Sequence, residues 1–149
     1  MTKIKAKTFF ISSKWRNRDR VVELTEELRA LGFEVISFLE YPTNKEVVTR
    51  DPEEAMKEWE SMPDWRKNLR VKQVAEEDDR NIRKADSLIL LLPAGVSAHL
   101  EAGYARGLGK ECILIGKLEK TESGYLTFKA IYETIDEFID ALRLTKRTG

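Results

Sequence analysis

The run Ser87-Leu88-Ile89-Leu90-Leu91-Leu92, released by Pro93-Ala94-Gly95, constrains the fold more than any other part of the chain. An apolar stretch without polar alternation is the pattern of a strand buried on both faces, and such strands belong to parallel sheets covered by helices on either side. The flanking segments fit that architecture. Lys7 to Ile11 reads as a first buried strand. Arg18 to Leu31 carries Val21, Val22, Leu24, Leu28 and Leu31 at helical spacing, with Gly32 to close the helix. Phe33 to Leu39 follows as a second strand, giving a strand-helix-strand unit that favours a right-handed parallel crossover.

Downstream, Val71 to Lys84 reads as a charged helix and Ala98 to Leu108 as a helix ended by Gly109. Cys112 to Ile115 is expected as a fourth strand, and a short fifth falls within Phe128 to Tyr132. Thr134-Ile135-Asp136-Glu137 is a capping box opening a last helix, whose Phe138, Ile139 and Leu142 face inward. The expected fold class is α/β: a doubly wound, flavodoxin-like, five-stranded and mostly parallel sheet of order 2-1-3-4-5, with helices on both faces, in a single domain spanning residues 1–149.

Residues 42–69 interrupt the alternation. Asp51 is placed to cap a helix with Pro52 at its first position, followed by Ala55, Met56 and Trp59 and stopped before Pro63. With Trp65 beyond it, the segment reads as a helical insertion or lid, whose indoles Trp59 and Trp65 could cap a pocket by stacking.

Composition narrows the partners. Lys and Arg number 26 and so do Asp and Glu, whereas nucleic-acid-binding domains normally carry a basic excess. Cys112 has no second cysteine to pair with, which fits a reducing compartment, and it lies inside an apolar strand segment. No apolar run approaches the ~20 residues of a membrane span, and Met1 to Lys7 has lysines without the long apolar stretch of a signal peptide. The expectation is a cytoplasmic protein with neither membrane nor nucleic acid as partner.

In doubly wound sheets, ligands bind beyond the carboxyl ends of the strands at the topological switch point, here between the first and third strands. The loops leaving those strands are Ser12-Ser13-Lys14-Trp15-Arg16-Asn17-Arg18 and Leu92 to Glu101. The first is polar and basic beside a helix N-terminus, so its N–H groups and hydroxyls suit a phosphate or a sugar. It lacks the glycines of a dinucleotide fingerprint and is not a P-loop. In the second, Ser97 is the natural N-cap. Glu101 then comes one residue too late for a capping box and shares a helix face with Ala98, Ala105 and Leu108. Two readings stand: a partly exposed glutamate helped by the helix dipole, or a carboxylate held in a pocket. Burial raises its pKa and the helix N-terminus lowers it, so the sign is open. Asp78, Asp79 or Asp86 could bring a second carboxylate. His99 is the only histidine, so neither a histidine-rich metal site nor a histidine-based triad has independent support.

Asp86-Ser87-Leu88-Ile89-Leu90-Leu91-Leu92-Pro93, then Ser97-Ala98-His99-Leu100-Glu101-Ala102-Gly103-Tyr104-Ala105 and Gly109-Lys110, resembles the nucleoside 2-deoxyribosyltransferase superfamily. That superfamily includes the 2′-deoxynucleoside 5′-phosphate N-hydrolases. The resemblance covers roughly residues 8–142 and is strongest over 78–110. Phe9 and Phe10 stand near the end of the first strand, where members often carry a tyrosine, and no further acid precedes Glu101 in its loop.

The resemblance implies cleavage or transfer at the N-glycosidic bond of a nucleoside or nucleoside 5′-monophosphate. Glu101 would be the nucleophile on the anomeric carbon and Asp78 the assisting acid. It further implies Ser12, Ser13 and Arg18 on the sugar and phosphate side, with Asp86, Gly95, Ser97 and His99 as further pocket residues and Trp59 or Trp65 near the base. It implies no metal or organic cofactor, a small-molecule partner, and a homo-oligomer, for which the apolar Tyr125-Leu126-Thr127-Phe128 is a candidate contact. The alternative reading is a non-catalytic nucleotide-binding or sensing domain of the same fold.

Overall fold

The computed structural model describes residues 4–148, so Met1 to Lys3 of the lysine-rich start lie outside the described residues. Among the described residues five strands and five α-helices follow in the order β1 Thr8–Ser12, α1 Arg18–Ala30, β2 Glu34–Ser37, α2 Pro52–Glu60, α3 Leu69–Lys84, β3 Ser87–Leu91, α4 Val96–Gly107, β4 Glu111–Ile115, β5 Ala130–Tyr132 and α5 Ile135–Thr148. The sheet order is β2-β1-β3-β4-β5. Every pairing is parallel, so the sheet is wholly rather than mostly parallel.

The period of two along the strands sorts the core into two layers. Phe9, Ile11, Ile89, Leu91 and Ile113 face α1 and α5, meeting Val21, Leu24 and Leu28 on one helix and Phe138 and Leu142 on the other. Phe10, Leu88, Leu90, Cys112 and Leu114 face α3 and α4, meeting Ile82, Ala98, Ala102 and Ala105. The three alanines let α4 lie close on the sheet, which fixes where the other residues of that helix point. Cys112 is buried in this layer, and burial pushes its thiol up to about 11, the behaviour of a core residue rather than a nucleophile.

Backbone chemistry sets the helix ends. Gly32 takes φ +89°, and the Phe33 and Gly32 N–H groups donate to Leu28 O at 3.1 Å and Arg29 O at 2.9 Å, closing α1 as a Schellman motif. Asp51 accepts from Glu54 N–H at 3.1 Å with Pro52 at the first helical position, as the sequence indicates. Two starts differ from expectation. Asn68 caps α3 by accepting from Val71 N–H at 3.2 Å, so the helix begins at Leu69. Gly95, with extended backbone, is the N-cap of α4, which leaves Ser97 inside the first turn and exposed. That first turn has no side-chain cap and no acidic residue.

The inserted segment is tied to the β1–α1 loop. Arg16 donates to Glu53 at 2.6 Å and to Glu60 at 2.7 Å, while Arg18 Nη1 donates to Val48 O at 3.0 Å and Arg50 O at 3.1 Å. Those ties hold α2 over the carboxyl end of β1. On the other flank, Gly116 follows β4 at φ +145°, where an added Cβ would lie 2.5 Å from Leu92 Cβ. Only glycine admits this close approach, which seats the end of β4 against the loop leading into α4.

Candidate active site

The switch point between β1 and β3 gathers side chains from four segments. β1 ends in Ser12, buried at 1% exposure, whose hydroxyl donates to Glu101 Oε2 at 2.8 Å. Glu101 comes from the sheet-facing side of α4, one turn beyond Ala98. Asp78 comes from the facing side of α3 and accepts from the Tyr41 hydroxyl at 2.8 Å. Tyr41 follows the turn that ends β2 and is 4% exposed.

Burial fixes the sign of the shift at Glu101. Burial, with a further push from the negative charge of Asp78, raises its pKa to about 8 despite the Ser12 hydrogen bond. Asp78 is raised to about 6, again chiefly by burial, with the Tyr41 hydrogen bond working in the opposite direction. Neither carboxyl has an ion-pair partner among the described residues. Two carboxyls titrating on either side of neutrality hold one proton between them near pH 7.

The remaining expected residues divide. Ser13 lies in the same loop, but its hydroxyl donates to Leu91 O at 2.8 Å and accepts from Asn17 Nδ2 at 3.0 Å, stitching the two switch-point loops together. Arg18 is engaged with the insertion through the two carbonyls above. His99 Nδ1 lies 2.8 Å from Gly95 O. A carbonyl only accepts, so Nδ1 carries the proton, and Nε2 receives the Tyr125 hydroxyl at 3.2 Å. His99 therefore braces the start of α4 against the β4–β5 loop. Gly95 and Ser97 frame the uncapped first turn of α4. Trp59 is half-buried under Arg70, whose Nη2 also donates to Asn44 Oδ1 at 2.9 Å, near Tyr41. Trp65 is 53% exposed and contacts Arg66 of its own turn.

Asp86 requires a correction. It sits at the amino end of β3, where its carboxylate accepts from Lys7 N–H at 2.9 Å and Thr8 N–H at 3.0 Å. Those backbone donors hold its pKa below the usual carboxylate range. A strand rises about 3.3 Å per residue, so the length of β3 separates Asp86 from the ligand edge. Its role is to clip β3 to β1. Tyr41, by contrast, shows in the sequence only as part of a loop. The usable signal is its position at the carboxyl end of a strand next to the switch point.

On the β4 side of the α4 start, a cleft of about 670 Å³ opens between Leu92-Pro93-Ala94, His99, Lys117, Lys120 and Tyr125. Glu101 and Asp78 do not line it.

No protein-family model matches the sequence. No curated protein matches it either. Solved structures do. A 2-deoxyribosyltransferase from the psychrotolerant bacterium Bacillus psychrosaccharolyticus is 15% identical, with a TM-score of 0.63 over 89% of this chain and 90% of that one. The Clostridium botulinum CMP N-glycosidase BcmB is 19% identical, with a TM-score of 0.55 over 92% of this chain and 99% of that one. The chain has the nucleoside 2-deoxyribosyltransferase-like fold. In both comparisons the alignment spans nearly the whole chain, so the likeness extends well beyond residues 78–110, over which the sequence resemblance is strongest.

Proposed function

We propose that the protein cleaves or transfers at the N-glycosidic bond of a nucleoside or nucleoside 5′-monophosphate. The observation that carries this reading is the Glu101 and Asp78 pair, held at the switch point by the Ser12 and Tyr41 hydroxyls, part-buried and without a cationic partner among the described residues. The reaction needs one ionised carboxyl and one proton. Substrate binding moves the shared proton from Glu101 to Asp78, and Glu101, now the carboxylate, attacks the anomeric carbon. The glycosyl–Glu101 ester forms as the bond to the base nitrogen breaks, and the departing base takes the proton held by Asp78. Water or a second base then attacks the same carbon and releases Glu101. Ser12 orients the Glu101 carboxylate through its hydrogen bond. Likeness to a CMP N-glycosidase supports a 5′-phosphorylated substrate, and the uncapped N–H groups of Val96, Ser97 and Ala98 provide anion-binding donors. The Asp51 to Trp65 segment serves as the lid, with Trp59, rather than the outward Trp65, toward the base.

Self-association belongs to the same reading, through a surface other than the 125–128 stretch. Tyr125 and Phe128 pack against the α4-side core, leaving Leu126 exposed between them. The outer face of α4 presents Val96 at 78%, Leu100 at 69% and Tyr104 at 36% exposure on successive turns. A helix that is apolar on both sides suits burial on both sides.

The test is a turnover screen of nucleosides and nucleoside 5′-monophosphates, with and without an acceptor base. Release of free base supports the enzyme, and its dependence on acceptor separates transfer from hydrolysis. Thermal stabilisation by nucleotides without any base release would replace this reading with the binding domain.

A further inference from the structure

We infer that Tyr41 is a positioning residue of the carboxyl pair: its hydroxyl fixes the Asp78 carboxyl beside Glu101 and favours its charged form. This deepens the function proposed above and rests on it for its purpose, though not for its geometry.

Tyr41 is held on every side. Its backbone is extended before Pro42, its N–H donates to Phe38 O at 3.3 Å and its carbonyl accepts from Asn44 N–H at 2.9 Å. Asn44, itself buried, returns its side-chain amide to Phe38 O at 2.8 Å. The ring belongs to the same core layer as Phe10, Ile82 and Leu90. A phenol pinned this way delivers its hydroxyl to one point, and that point is Asp78 Oδ1.

The surroundings make that single bond decisive. Asp78 faces Tyr41 from the segment after β2 and Glu101 from α4, with Glu77 beside it on its own helix. Glu101 faces Asp78 and the Ser12 hydroxyl. Asn81, one turn along α3, lies against the Tyr41 hydroxyl. With no ion pair at either group, each carboxyl has one hydroxyl donor to favour its charged form. Losing the Tyr41 hydroxyl removes the one hydroxyl that favours the charged form of Asp78, so Asp78 binds a proton more tightly. The repulsion that Asp78 exerts on Glu101 then falls away.

The experiment is a side-chain carboxyl ¹³C NMR titration of the full chain and of Tyr41→Phe. The Asp78 midpoint is expected to rise by about one unit, a tenfold change in its proton affinity, while the Glu101 midpoint falls. Unchanged midpoints in a folded Tyr41→Phe protein overturn the inference. Should that variant not fold, replacing Tyr41 by 3-fluorotyrosine keeps the shape and strengthens the donor. The Asp78 midpoint then has to fall, and a constant value again overturns the inference. The titration uses no substrate, so its outcome for Tyr41 is the same whether or not the chain turns over nucleosides.

Discussion

Ser12, the last residue of β1, donates its hydroxyl to Glu101 on α4 at 2.8 Å, joining two residues 89 positions apart. That bond and the one between Tyr41 and Asp78 place two carboxyls together at the sheet edge where this fold binds ligands.

On the proposed mechanism, Glu101→Gln is expected to lower turnover by on the order of 10³-fold or more, because it removes the attacking charge. The amide still receives the Ser12 hydroxyl, so the fold is kept. Base release and the melting temperature are the two measurements. Retained turnover with a lowered melting temperature assigns Glu101 a structural role instead.

The same pair sets a pH dependence of stability. Glu101 binds its proton more tightly when folded, near 8 against an ordinary 4.5, and Asp78 does so near 6 against 3.8. Within each window the folded state holds a proton that the unfolded chain has lost, so stability falls as pH rises. Between about pH 5 and pH 8.5 the unfolding free energy should drop by on the order of 5 kcal/mol. Denaturant titrations across that range check the slope, and Glu101→Gln should flatten it. A slope of opposite sign would show that the carboxyls are not held in a desolvating pocket.

Asp86→Ala separates the two edges of the sheet. It removes the acceptor for Lys7 and Thr8 and should cost about 1 kcal/mol, while kcat and KM stay unchanged. A change in kcat at constant stability would return Asp86 to the ligand site.

Leu100→Asp tests the outer face of α4, where Leu100 is 69% exposed. A charge there should convert an oligomer to a monomer in sedimentation or solution scattering without lowering the melting temperature of the isolated subunit. A parent protein that is already monomeric at working concentration removes the self-association proposal.

Local periodicity makes the elements legible. The unbroken apolar run of β3, the helical spacing of α1 and the Thr134 to Glu137 capping box each report burial or backbone satisfaction within a few residues, so a single sequence suffices to read them. The start of α4 escapes that logic because Ser97 is a good cap by residue type, yet Gly95 already adopts the capping backbone. Glu101 stands out because a carboxylate on a face of alanines conflicts with its own helix pattern.

Which side chains meet is another matter, because contacts between distant elements depend on strand register and helix approach. The sequence by itself determined the parallel strands, the switch point and the anomaly at Glu101. Tertiary packing alone decided that Tyr41 reaches Asp78 across 37 residues, that Asp86 clips the opposite edge, and that His99 is spent bracing Gly95 and Tyr125. The raised affinity of Glu101 for its proton has the same origin, since burial and the charge of Asp78 arise only when α3 and α4 are laid side by side on the sheet.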